Sequence, residues 1–96
     1  MITAIVQFKV SSDTTKEQVM QNMTNVAPKF ENMPGLIRKN FLFDGDRGVG
    51  GGVYTWETRE QAEAIYAEGR PWRDAIRTLY GVEPEITWFE TPIIVD

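Results

Sequence analysis

The chain has 96 residues, 42% of them hydrophobic and 25% charged, with a net charge of −4 and a pI of about 4.8. That length makes a single domain, residues 1–96, which buries only about 60–65% of its unfolded surface, and the acidic balance is the wrong sign for a general nucleic-acid binder, which must displace counterions from phosphates. Cys and His are both absent, which removes disulfides, thiolate chemistry, cysteine metal sites and the commonest general base, metal ligand and haem ligand.

Residues 2–10 alternate. Ile2, Ala4, Val6, Phe8 and Val10 fall on one side and Thr3, Ile5, Gln7 and Lys9 on the other, the pattern of a strand with one apolar face. This segment has no basic leader and no small-residue cleavage site. No apolar run in the chain reaches the ~20 residues that span a bilayer, so no membrane partner and a cytoplasmic location are expected. "SSDTTKEQ" offers a helix start with Thr14 and Glu17 at capping-box spacing. Val19, Met23, Val26, Phe30 and Met33 then form one helical stripe, with Pro28 inside it predicting a kink or an early end.

"LIRKNFLF", residues 36–43, reads as a second strand, "DGDRG" as a hairpin connection, and residues 49–57 as the returning strand. Simple alternation puts Ile37, Phe41 and Phe43 on one parity, and Leu36 and Leu42 on the other with Arg38 and Asn40. Thr58 and Gln61 form a second capping box opening a helix through Ala62, Ile65 and Tyr66. Gly69 interrupts that helix, Pro71 suits the first turn of another carrying Trp72, Ala75, Ile76 and Leu79, and Gly81 caps it. "EITWFETPIIV" is a last strand, with Pro92 marking an edge or a bend.

The order β-α-β-β-α-β predicts an α+β, ferredoxin-like fold: a four-stranded antiparallel sheet with its helices on one face. Apolar residues on both parities of the strands, including Trp88 and Phe89 side by side, leave the second sheet face too apolar for a monomer. A homodimer packed sheet to sheet is therefore expected. The run Gly48-Val49-Gly50-Gly51-Gly52 lacks the third glycine of a dinucleotide fingerprint and leads into a strand, so it predicts open space beside Tyr54 and Trp56 and no phosphate cradle.

The segment "GGVYTWETREQAEAIYAEGRPW", Gly51–Trp72, together with "PGLIRKNF", resembles the antibiotic-biosynthesis monooxygenase-like superfamily of dimeric α+β barrels. It is most similar to the YdhR-like monooxygenases, through Gly51 to Tyr54, Ala62 or Ala64, and Gly81 to Glu83. The resemblance runs from about Pro34 to Pro92 and implies a cofactor-independent monooxygenase acting on a small aromatic or quinone-like compound in an apolar cavity between sheet and helices. Non-catalytic binding of a small ligand, or an isomerase or lyase activity, remain the alternatives on this fold, so enzymatic activity stays open. No metal and no cofactor is implied.

The resemblance makes Trp56 a cavity residue. Tyr66 stands where haem-degrading relatives carry a histidine, and Gln7 where oxygenases carry an asparagine. The expected catalytic set is Trp56, Tyr66 and Arg73, and the expected substrate contacts are Tyr54, Phe8, Arg38, Asn40, Trp72, Arg77 and Trp88. Asp74, Glu63 and Tyr66 are the candidate proton acceptors.

Overall fold

Alternation in residues 2–9 and the paired runs of β-branched and aromatic residues produce four strands, and capped amphipathic segments between them produce the helices. The computed structural model describes residues 1–96. The elements are β1 (Ile2–Lys9), α1 (Lys16–Val26), a 3-10 turn (Ala27–Phe30), β2 (Leu36–Asp44), β3 (Val49–Trp56), α2 (Arg59–Tyr66), α3 (Pro71–Tyr80) and β4 (Glu85–Glu90). The strands pair antiparallel in the order β2-β3-β1-β4, the ferredoxin-like α+β arrangement. No helix is long and apolar enough to cross a membrane.

Register decides which side chains meet. Ala4 lies opposite Tyr54 and Trp88, and Val6 opposite Gly52 and Ile86. Because strand side chains alternate, these residues share the face that receives the helices. There Ala4, Val6, Tyr54 and Trp56 join Ala62 and Tyr66 of α2 in one buried cluster, with Leu36, Ile65, Trp72 and Trp88 packed around it.

Local signals place most boundaries, with two corrections. The first helix is capped by Thr15, whose side chain accepts from the Gln18 amide while Gln18 reaches back to the Thr15 amide. The Thr14–Glu17 pairing is displaced by one residue because the Thr14 amide closes a turn onto the Ser11 carbonyl. Pro28 ends α1 at Val26 and tightens the chain into the 3-10 turn, as its lack of an N–H requires. Thr58 caps α2, Pro71 opens α3, and Gly81 ends α3 in the left-handed conformation.

The second correction concerns β2. Leu36 pairs with Trp56, yet Arg38 pairs with Thr55, so the strand bulges at Ile37. A bulge carries one unpaired residue and exchanges the faces on either side of it. Leu36 therefore joins Lys39, Phe41 and Phe43 on the helix-facing side, while Ile37 is exposed and Arg38, Asn40 and Leu42 face away. The open face carries a diagonal apolar stripe, Leu42, Val53, Ile5 and Phe89, among Thr3, Gln7, Asn40, Thr55 and Thr87. Phe89 is 52% exposed.

Candidate functional site

Helices α1 and α3 do not close fully over the sheet. Between them lies a cavity of about 170 Å³. Met23, Val26, Phe30 and Met33 form one wall, and Pro71, Trp72, Ala75, Ile76, Leu79 and Tyr80 the other. Phe8, Lys39, Phe41, Gly51 and Tyr54 make the floor, with Asn22 and Lys29 at the edge. The glycine run shapes this floor. A side chain at Gly50 would meet the Phe8 ring at 2.9 Å, and one at Gly52 would meet the Tyr54 ring at 3.1 Å and the Lys39 stem at 3.3 Å. At Gly51 it would overlap the Val6 carbonyl. The glycines thus admit neighbouring side chains and a close strand approach. No helix follows them to hold a phosphate.

Aromatic rings dominate the walls. Phe30 meets Phe41 at 6.0 Å and Tyr54 at 5.9 Å between centroids, and Phe8 lies 4.5 Å from Tyr80. Two indole–phenol pairs fix the interior. Trp72 Nε1 donates to Tyr54 Oη at 2.9 Å, and Trp56 Nε1 donates to Tyr66 Oη at 2.9 Å. Each phenol oxygen accepts, which leaves its own proton to donate. Burial raises both phenols well above the ordinary tyrosine range, with a smaller mutual effect of Tyr54 on Tyr66. Both stay protonated at neutral pH.

Lys39 is the unexpected member. Its Nζ lies 3.4 Å from the Phe30 ring centre, 3.9 Å from Phe41 and 4.5 Å from Tyr54. Burial pulls its amine down to about 7, while the ring faces favour the ammonium form. No carboxylate lines the cavity.

The structure brings together Phe8, Tyr54 and Trp72 of the residues expected from sequence. Trp56 and Tyr66 are buried behind Tyr54 and do not line the cavity. Trp88 packs on Tyr66 at 5.7 Å under the Arg59 guanidinium. Arg38 and Asn40 lie on the opposite sheet face, where Arg38 pairs with Asp96 at 2.6 Å. Arg73 donates to the Tyr66 carbonyl at 2.9 Å and to Glu83 at 3.2 Å, and Arg77 binds Glu83 and Glu68. Both arginines therefore brace α3 at the surface. Glu63 pairs with Arg59 and Asp74 with Arg77, both exposed and away from the cavity. No group of three or more Asp or Glu is placed to hold a metal ion.

Lys39 was legible in one respect. It alternates with Phe41 and Phe43, a charge on an apolar parity.

The family model described as "Putative mono-oxygenase ydhR" matches residues 5–82. The chain belongs to the YdhR family. A search of curated proteins by sequence finds no match. Among solved structures, the monooxygenase ActVA-Orf6 of Streptomyces coelicolor, in complex with nanaomycin D, superposes on this YdhR-family chain with a TM-score of 0.73 at 16% identity, covering 98% of this chain and 89% of that one. SnoaB of Streptomyces nogalater, described as a cofactor-independent oxygenase, gives 0.68 at 16%, covering 98% and 95%. The haem-degrader MhuD of Mycobacterium tuberculosis, with two haems bound, gives 0.70 at 20%, covering 100% of both chains. These likenesses establish a shared fold.

Proposed function

We propose that this YdhR-family protein is a cofactor-independent monooxygenase that oxidises a small dihydroxyaromatic in the cavity between α1, α3 and the sheet. The observation that carries this reading is the cavity itself: rings on several sides, Lys39 Nζ against three of them, and the polar side chains of Asn22, Lys29, Tyr54 and Tyr80 in the same lining. Its volume is close to the ~150 Å³ that suffices for one benzene ring. A hydroquinone and dioxygen give a hydroxyquinone and water, so the substrate supplies all the electrons and the protein supplies a dry site and proton control.

Similarity to SnoaB and ActVA-Orf6 supports the reading. The absence of histidine in the chain speaks against haem degradation of the kind that uses a histidine ligand. Phe8, Phe41 and Trp72 would hold the ring, and Tyr54 would donate to a ring oxygen. Trp56 and Tyr66 would keep Tyr54 in place, and the Arg73 and Arg77 ion pairs would fix α3. A cytoplasmic setting belongs to the reading, since a reducing compartment keeps a quinol reduced. So does a homodimer joined through the Leu42–Val53–Ile5–Phe89 stripe. The test is dioxygen uptake by metal-free protein with a panel of dihydroxyaromatics. Uptake that depends on substrate is expected. Tight binding of the panel without uptake would make the protein a ligand-binding module instead.

A further inference from the structure

We propose that Lys39 is the catalytic base of this cavity, its neutral amine taking the proton from a bound hydroxyaromatic and then holding the resulting phenolate as an ion pair. This rests on the reading of the cavity as the site of hydroxyaromatic oxidation.

The placement argues for a function because it is costly. Position 39 shares the helix-facing side of β2 with Phe41 and Phe43, where a methionine or leucine would fill the same space without desolvating an amine. Lysine stems commonly run along apolar surface and put their charge in open water, but here the side chain is half-buried and Nζ lies against the faces of Phe30, Phe41 and Tyr54. Gly52 lies beside the same group, where a side chain would press on the Asn40 carbonyl and the Tyr54 ring at 3.1 Å and on the lysine stem at 3.3 Å.

The charges work out for proton transfer. The titratable groups that share the cavity are Lys29 from the 3-10 turn, Tyr54 from β3 and Tyr80 from α3. No carboxylate faces Lys39 from α1, α3 or the sheet, so its ammonium has no standing counter-ion. Burial brings the amine to about 7, where a base works best at neutral pH. The substrate O–H bond breaks, an N–H bond forms on Nζ, and a neutral pair becomes an ammonium–phenolate pair with no change in the net charge enclosed. The rings that hold the ammonium and the Tyr54 proton both favour the ionised state. The phenolate is the more easily oxidised form, and the proton on Nζ later goes to the oxygen atom that leaves as water.

The experiment uses the full chain, Lys39→Met and Lys39→Arg, with two readouts. In the first, 4-nitrophenol is titrated with pH and its phenolate absorbance followed in the presence of each chain. The wild type and Lys39→Arg should hold the probe as phenolate at least ~10-fold more readily than Lys39→Met. In the second, kcat/KM for dioxygen uptake should rise along an acid limb near neutral pH in the wild type. Both variants should lose that limb and fall by about 10²–10⁴-fold, because a guanidinium holds a phenolate yet cannot accept its proton. The proposal is overturned if the probe binds no better as phenolate to the wild type than to Lys39→Met, if the wild type does not bind it, or if both variants stay within about threefold of wild-type turnover. A shifted probe without any dioxygen uptake would sink the oxygenase reading and leave the acid–base role of Lys39 standing.

Discussion

Replacing Lys39 with methionine is expected to stabilise the protein and to remove a distinctive pH dependence. In the unfolded chain the amine titrates at 10.5, and in the fold burial brings it to about 7. Below pH 7 both states are charged, so the lysine contributes no slope and its full burial cost is present. Above that pH the unfolded chain binds one more proton than the folded one, so stability rises by about 1.4 kcal/mol per pH unit up to the unfolded value. The whole span is about 5 kcal/mol, and the ring faces return up to ~2 kcal/mol of it. The net cost at low pH is therefore about 3–5 kcal/mol.

Urea denaturation at fixed protein concentration, between about pH 6 and pH 9, measures this without entering the tyrosine range. Lys39→Met should be more stable than wild type by about 3–5 kcal/mol at pH 6, and the gap should narrow by about 1 kcal/mol per unit as pH rises. Wild type and variant curves that run parallel across the range would refute the reasoning. Nζ would then be reaching water, and the aromatic enclosure would not govern it.

Gly51→Ala should cost more than about 2 kcal/mol in thermal or urea unfolding, because its Cβ overlaps the backbone oxygen of Val6 and no side chain can move to relieve it. Gly81→Ala meets nothing within 4 Å and should cost only the ~1 kcal/mol of a left-handed position. Tyr66→Phe leaves the buried Trp56 N–H without its acceptor and should destabilise by about 1–3 kcal/mol, read as a fall in urea midpoint. Phe89→Glu places a charge in the exposed apolar stripe and should halve the mass seen by light scattering. A wild-type chain that is monomeric at micromolar concentration would remove the sheet-to-sheet pairing.

Tertiary structure had to decide what periodicity left open. The Thr58 cap, the Pro28 break, the Pro71 start and the Gly81 stop were readable because each depends on φ preferences or hydrogen bonds within a few residues. Alternation in β1 likewise placed Ala4 and Val6 in the core. In β2 the same rule failed at one residue: the bulge at Ile37 moved Leu36 to the helix side. A bulge is set by pairing with β3, and a one-residue change of register exchanges faces. Arg73 and Arg77 of α3 were expected at the substrate, and folding instead brings Glu68 and Glu83 to them from outside the helix. By itself, the sequence determined the order of elements, the α+β class and the membership of the YdhR family, because these rest on local pattern. Only packing α1 and α3 over the sheet made a cavity and turned Lys39 from a strand lysine into a half-buried amine among rings, because desolvation is a property of the assembled walls.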